Sequence, residues 1–462
     1  MNGSLLAILA CVATPLAIGW WVSRRVHTPD DYFLAGRSLG LGLASFSVFA
    51  TWFGAETCLS ASGRIYEQGL SGGSADPLGY FLCLLLVALV FAAPLWRRRI
   101  TTLPDFYRRR YSPAVEKLAV LLLAPTSLMW AAAQLRALGQ VLDASFGLGV
   151  REGILIAAAV VMVYTMMGGL GADVFNDCLQ GSILLVCLFV VFFAVLVTLD
   201  KGPLTLMQEM DPARWNPLST GGKFPWACAE AWAVPICGSV VTQELVARLL
   251  AARSPETARK AGLVGAGLYL VAGLIPATLG LLGPQLVPDL ADPEQFLPTL
   301  VRAHLSPVFY TLFTGAMLCA ILSTVDSTLL AAAAVVSQNV LVPLRPRWTQ
   351  AHRLHASRLC VLAGGVVACT LALSAESIYK LVSGASAFGG AGLFVLLLLG
   401  LHTRRGGART GMAVMLCSLT VWAYGTHVGH WQAPFLISMM VAFAVAALAG
   451  WREPPPRSEA EH

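Results

Sequence analysis

A-T-W-F-G-A-E, residues Ala50 to Glu56, sits in the middle of an apolar run that has the length of a membrane-crossing helix, 41–63. A glycine at mid-span lets a helix unwind, and unwound backbone offers carbonyl oxygens to a cation. A second run, 225–250, carries A-V-P-I-C-G-S, Ala233 to Ser239. There Pro235 removes a backbone donor and Gly238 tolerates a turn. Counted along the chain, the two interrupted runs are the second and the seventh. A separation of five is what an inverted repeat of five plus five helices produces, each half opening with a broken helix.

Working outward, apolar runs recur from end to end. Thirteen spans are predicted near 4–22, 41–63, 77–96, 115–142, 153–169, 174–198, 225–250, 261–283, 307–340, 355–374, 378–400, 411–428 and 433–450. The chain has 462 residues, 57% hydrophobic and 12% charged, too little charge to cover a water-soluble surface. In lipid every backbone polar group must be satisfied internally, and long runs without alternation select helices over a barrel. The expected fold is therefore an all-α polytopic membrane protein. One transmembrane domain covers 1–451, with an extra first helix at 4–22, an inverted-repeat core over about 41–400 and two extra helices over about 411–450. Residues 452–462 form a short cytoplasmic tail.

Composition also excludes some classes. The formal net charge of +6 does not indicate nucleic-acid binding, because the arginines fall in short segments between spans. The eleven cysteines lie in or beside apolar runs without metal-ligand or disulfide-framework spacing, which fits small core residues. The sequence contains no HExxH, GxSxG or P-loop pattern, so an enzyme is not expected. A transporter-like sensor or receptor is the alternative class. It would act with a separate partner protein, since the tail carries no output domain, and no obligate protein partner is evident.

Six ionisable residues lie within or near span edges: Glu56, Arg136, Asp177, Glu230, Glu244 and Asp326. An Arg or Asp at a helix centre costs about 2.5–3.5 kcal/mol on insertion scales. Asp177 and Asp326, with hydroxyl or amide neighbours, are expected to be functional. Glu230, Glu244 and Arg136 are expected to make structural hydrogen bonds or to sit near the interface. The ninth run reads F-T-G-A-M-L-C-A-I-L-S-T-V-D-S-T-L-L, Phe313 to Leu330. Ala320, Ser323, Thr324 and Ser327 follow i, i+3, i+4, i+7 spacing and share one helix face. Their hydroxyls either form a hard-oxygen cage with carbonyls of a broken helix or bond back to their own helix and its neighbours.

Four motifs, in order, resemble the sodium:solute symporter family over nearly the full length. They are D-Y-F-L-A-G-R-S-L-G (Asp31 to Gly40), G-G-L-G-A-D-V-F-N-D-C-L-Q-G (Gly168 to Gly181), the stretch Thr242 to Arg259, and S-T-V-D-S (Ser323 to Ser327). The resemblance implies a secondary symporter importing a small organic solute with sodium. It implies a main sodium site made by the carbonyls of Ala50, Phe53 and Ala320 and the hydroxyls of Ser323 and Thr324. Some members carry a further sodium site, whose matching positions are Asp177, Ser323, Asp326 and Ser327. A-T-W (Ala50 to Trp52), P-L-G-Y (Pro77 to Tyr80) and M-W-A-A-A (Met129 to Ala133) are nearest to the branch containing high-affinity choline transporters. That likeness implies substrate contacts at Trp52, Tyr80 and Trp130, with Thr242 where the branch has a tryptophan. Aromatic faces attract a quaternary ammonium by roughly 0.5–2 kcal/mol each. The solutes implied are a quaternary amine, a betaine or an imino or amino acid.

Charge bias predicts orientation in the inner or plasma membrane. With the N-terminus outside, 22 arginines and lysines fall in cytoplasmic segments and seven in outer ones. A reporter fused after His462 is expected to be active in the cytoplasm. A signal on the outer side would overturn the count of spans.

Overall fold

The computed structural model describes residues 13–14, 17–24, 26–54, 56–198, 205, 208–218, 225–375 and 377–450. The predicted helix at 4–22 falls largely outside the described residues, and the tail at 452–462 entirely so. Among the described residues the chain is helical and without strands, with one isolated backbone bridge between Leu39 and Ala252.

The main helices, in chain order, are α1 (Leu41–Trp52), α2 (Leu78–Arg97), α3 (Pro113–Phe146), α4 (Val150–Thr198), α5 (Pro225–Val241), α6 (Gln243–Leu250) and α7 (Pro255–Leu286). They continue as α8 (Pro307–Val336), α9 (Gln350–Ser374), α10 (Ile378–Ala387), α11 (Gly390–His402), α12 (Ala408–His427) and α13 (Pro434–Gly450). Among the described residues, six helical segments are long and apolar enough to cross a membrane. The bent pairs α5–α6 and α10–α11 bring the number to eight if each pair is one span.

Local sequence sets the helix starts. Ser112-Pro113, Ser254-Pro255 and Ser306-Pro307 open α3, α7 and α8. In each the serine hydroxyl accepts from the backbone N–H three residues on, at 3.3, 3.1 and 3.3 Å. The proline that follows has no N–H to strand and a φ already suited to the first turn.

α8 is the axis of the bundle. It packs most extensively against α3 and α4, and every residue from Phe313 to Val335 is buried. Leu121, Val163, Val186 and Val197 stay exposed on the outside, where hydrocarbon rather than water suits them.

The breaks differ from expectation in three places. The runs 153–169 and 174–198 are not separated by a loop. They form one helical stretch turned at Gly169, whose φ is +58° and ψ −164°. In 225–250, Pro235 and Gly238 are absorbed by a wide helical turn, Val234–Gly238. The helix departs instead at Thr242, with ψ 129° and a 49° bend. The wide turn lets the chain pass the missing proline donor without opening. The run 378–400 is also broken, by 42°, at Phe388 and Gly389.

At Gly169 the backbone conformation is one that only glycine adopts readily, and a Cβ there would lie 2.5 Å from Tyr32. Gly169→Ala is expected to lower the thermal midpoint of the purified protein well below that of Gly147→Ala. Gly147 shares a positive φ, +65°, but has open space around it. Equal shifts in the two variants would show that packing at Gly169 contributes nothing.

Candidate ion and solute site

α1 stops at Trp52, and Phe53 turns to extended backbone, with φ −86° and ψ 93°. The turn brings Gly54 against α8. A Cβ on Gly54 would lie 3.2 Å from the Thr324 Oγ1 and 3.9 Å from the Ala320 carbonyl oxygen. Glycine thus allows the broken backbone to reach the hydroxyl face of α8. Thr324 Oγ1 donates to the Ala320 carbonyl at 3.1 Å, and Ser323 Oγ donates to Asp177 Oδ1. Each hydroxyl spends one proton and keeps lone pairs for a cation. Phe53, Ala320, Ser323 and Thr324 are therefore brought together. Ala50, one turn before the break, lies against α4 at Gly181.

Asp177 is not open to the cavity as an isolated acid. Ser47 of α1 donates to its Oδ2 at 2.6 Å, and Arg248 of α6 donates to the same oxygen at 3.0 Å. Arg248 Nη2 also lies 2.7 Å from Asp173 Oδ2 and 2.5 Å from Ser327 Oγ. Ser327 donates to Asp173 at 3.0 Å. The guanidinium is 1% exposed and the two carboxylates are equally enclosed. Arg248 therefore does not belong among the solvated cytoplasmic charges, although removing it leaves the charge bias intact. Asp326 Oδ1, in contrast, is buried without a hydrogen-bond partner.

Asp173 was missed from sequence, yet a signal exists. Asp173 falls between the predicted runs 153–169 and 174–198, but it is spaced i, i+4 from Asp177, and on the one helical stretch that forms there two carboxylates on one buried face require a cation. Of the acids expected to be structural, Glu230 accepts from the backbone N–H groups of Phe435 and Leu436 at 2.8 Å each, capping the start of α13. Glu244 takes one long bond, 3.4 Å from Ser127.

Trp52, Tyr80 and Trp130 meet as a cluster, all buried. Ring centroids are 5.2 Å apart for Trp52–Tyr80, 6.0 Å for Tyr80–Trp130 and 6.4 Å for Trp52–Trp130, the last pair nearly parallel. These are direct ring contacts, so the cluster is closed on itself. Both indole N–H groups lack hydrogen-bond partners. Thr242 is at the bend between α5 and α6, and its hydroxyl donates to the Ser239 carbonyl at 2.9 Å. Tyr80 also borders a cavity of about 320 Å³, lined further by Glu56, Glu230, Tyr379, Ser386 and Trp422.

Comparison with known proteins places this geometry. A sodium-coupled sialic acid symporter, solved in a substrate-bound outward-open state, superposes with a TM-score of 0.86 at 17% identity, covering 98% of this chain and 99% of that one. The two chains thus share one helical fold. The family model for the sodium:solute symporter family matches residues 32–417, and the chain belongs to that family. It is accordingly a multi-pass plasma-membrane transport protein and not an enzyme. The high-affinity choline transporter 1 of Drosophila melanogaster is 25% identical over 84% of this chain, which spans 65% of that relative's length. A high-affinity proline transporter of Bacillus subtilis is 26% identical, with 94% of both chains covered.

Arg248→Ala strands two buried carboxylates and is expected to destabilise the protein by about 3–5 kcal/mol, the usual cost of breaking a buried pair. Adding Asp173→Asn should recover part of that loss. Unfolding of the detergent-purified variants checks both. Purely additive losses in the double variant would mean that the two residues do not interact.

Proposed function

We propose that the protein is a sodium-coupled secondary symporter that imports a small organic solute: a quaternary amine, a betaine or an imino or amino acid. The observation that carries the proposal is the approach of Gly54, at the break in α1, to Thr324 and Ala320 on α8. Sodium would be held there by the carbonyls of Ala50, Phe53 and Ala320 and the hydroxyls of Ser323 and Thr324. A cage of neutral oxygens suits a small hard cation, and its dependence on two separate helices links ion binding to their relative position.

The further set, Asp177, Asp326 and Ser327, has a different role in this proposal. The guanidinium of Arg248 supplies the positive charge beside Asp177. A second sodium would have to share that carboxylate with it. The solute is assigned to the space beside Trp52, Tyr80 and Trp130, with Thr242 at the adjoining bend. The closed rings must separate, or the solute must rest against their edge at Tyr80.

Thirteen spans, a five-plus-five core over 41–400, an outer N-terminus and a cytoplasmic C-terminus complete the proposal, supported by the arginine and lysine bias. The 320 Å³ cavity is bordered by Ala227, Tyr379, Thr426 and Pro434, at helix ends on the side that this bias puts outside.

Ser323→Ala and Thr324→Ala are each expected to raise the sodium concentration for half-maximal uptake in proteoliposomes by tenfold or more. Sodium should also raise the melting point of the parent protein by mass action, and less so in the variants. Uptake that ignores sodium in the parent but collapses with a proton uncoupler would overturn the assignment.

A further inference from the structure

The cavity beside Tyr80 holds a carboxylate to which no role has yet been given. Glu56 lies two residues beyond Gly54, in the wide helical turn Glu56–Ala61, and is 3% exposed. Its Oε1 accepts from the Tyr80 hydroxyl at 3.1 Å, which fixes the carboxylate in place. Its Oε2 is buried and has no hydrogen-bond partner.

Neighbouring acids are in a different condition. Asp76 accepts from Thr57 at 2.6 Å and from Tyr269 at 2.8 Å, so each of its oxygens is engaged. Glu230, on the same cavity wall, has both oxygens on the α13 backbone. Glu56 is the acid here that lines the cavity and keeps one oxygen unengaged. Native interiors seldom leave such an atom unpaired, and an ionisable group at membrane depth asks for a named partner.

The surroundings specify that partner. Tyr80, Tyr379 and Trp422 present aromatic surface to the cavity, and Ser383 and Ser386 present hydroxyls. No arginine or lysine is among the described lining residues. The guanidinium of Arg64 lies over the Tyr379 ring at 3.8 Å, but Arg64 is not part of the lining. A carboxylate with aromatic faces and no basic side chain matches an organic cation. It does not match a carboxylate-bearing solute, which would bring a second negative charge beside Glu56 with no basic side chain in the described lining to meet it.

We propose that Glu56 is the specificity-determining residue of this cavity, and that the transported solute is an ammonium cation without a carboxylate of its own. The proposal rests on the symporter assignment and narrows its solute class. The ammonium head lies against Glu56 Oε2 and the Tyr80 ring, and any hydroxyl on the solute meets the serines of α10.

The test uses the purified full chain in sodium buffer, with choline, tetramethylammonium, glycine betaine and proline as probes and binding read by calorimetry. Choline is expected to bind at least tenfold more tightly than glycine betaine or proline. Glu56→Gln, which keeps shape and removes charge, is expected to weaken choline binding tenfold or more. Glu56→Asp should retain an intermediate affinity, and it serves if the glutamine variant fails to fold. Choline affinity unchanged within twofold in Glu56→Gln would overturn the proposal. So would tighter binding of betaine or proline than choline in the parent, or no binding of either cation. Sodium-induced stabilisation is scored separately. Its absence in the parent overturns the coupling assignment, while the cation-to-zwitterion ratio and its response to Glu56→Gln still decide the role of this residue.

Discussion

The guanidinium of Arg248 and the two carboxylates it pairs with constrain most of the site. Three charges lie in an interior with almost no solvent access, where each alone would be prohibitive. They persist because the cation lies between the two carboxylates and all three groups are hydrogen-bonded. The cluster joins α6 through Arg248, α4 through Asp173 and Asp177, α8 through Ser323 and Ser327, and α1 through Ser47. Any change in the relative positions of these helices must keep the cluster paired or leave a charge unpaired in an apolar interior. The four elements that carry the hydroxyls, the broken backbone and the acids are thus held from one point.

Around that point the breaks at Phe53 and Thr242 lie where protein surrounds them. Exposed backbone in hydrocarbon costs several kcal/mol per unsatisfied group, so an unwound segment has to be interior. Phe53 and Thr242 are 3% exposed or less, at 1% each, and each has extended backbone beside a helix end. At Phe53 the opening places a flexible glycine against Thr324. At Thr242 it reorients the chain by 49° so that Arg248 points inward rather than into the cytoplasmic loop.

In the proposed assignment, the aromatic cluster and the acid beside it would divide recognition between two kinds of force. Trp52, Tyr80 and Trp130 supply polarisable surface that attracts cations weakly and from several sides. Glu56 supplies a single directed charge, held by the Tyr80 hydroxyl. Because Tyr80 belongs to both, a solute that engaged the carboxylate as proposed would also meet the rings.

By itself the sequence determined the helical membrane class and the presence of a break in the run 41–63. It also determined that Ser323, Thr324 and Ser327 share one face. These follow from composition, run length and helical period, which are local properties of the chain. It signalled the acids Glu56, Asp177, Glu230, Glu244 and Asp326, because a charge in or near an apolar run is conspicuous. What it could not show was pairing. Arg248 looked like one more basic residue at a span end until the bend at Thr242 carried it to Asp173 and Asp177, which are 75 and 71 residues away along the chain. Likewise Pro235 and Gly238 are the residues most prone to break a helix, yet a wide turn accommodates them and Thr242 departs instead. The tertiary structure decided these outcomes because burial and partner choice depend on which helices become neighbours, and no local propensity encodes that.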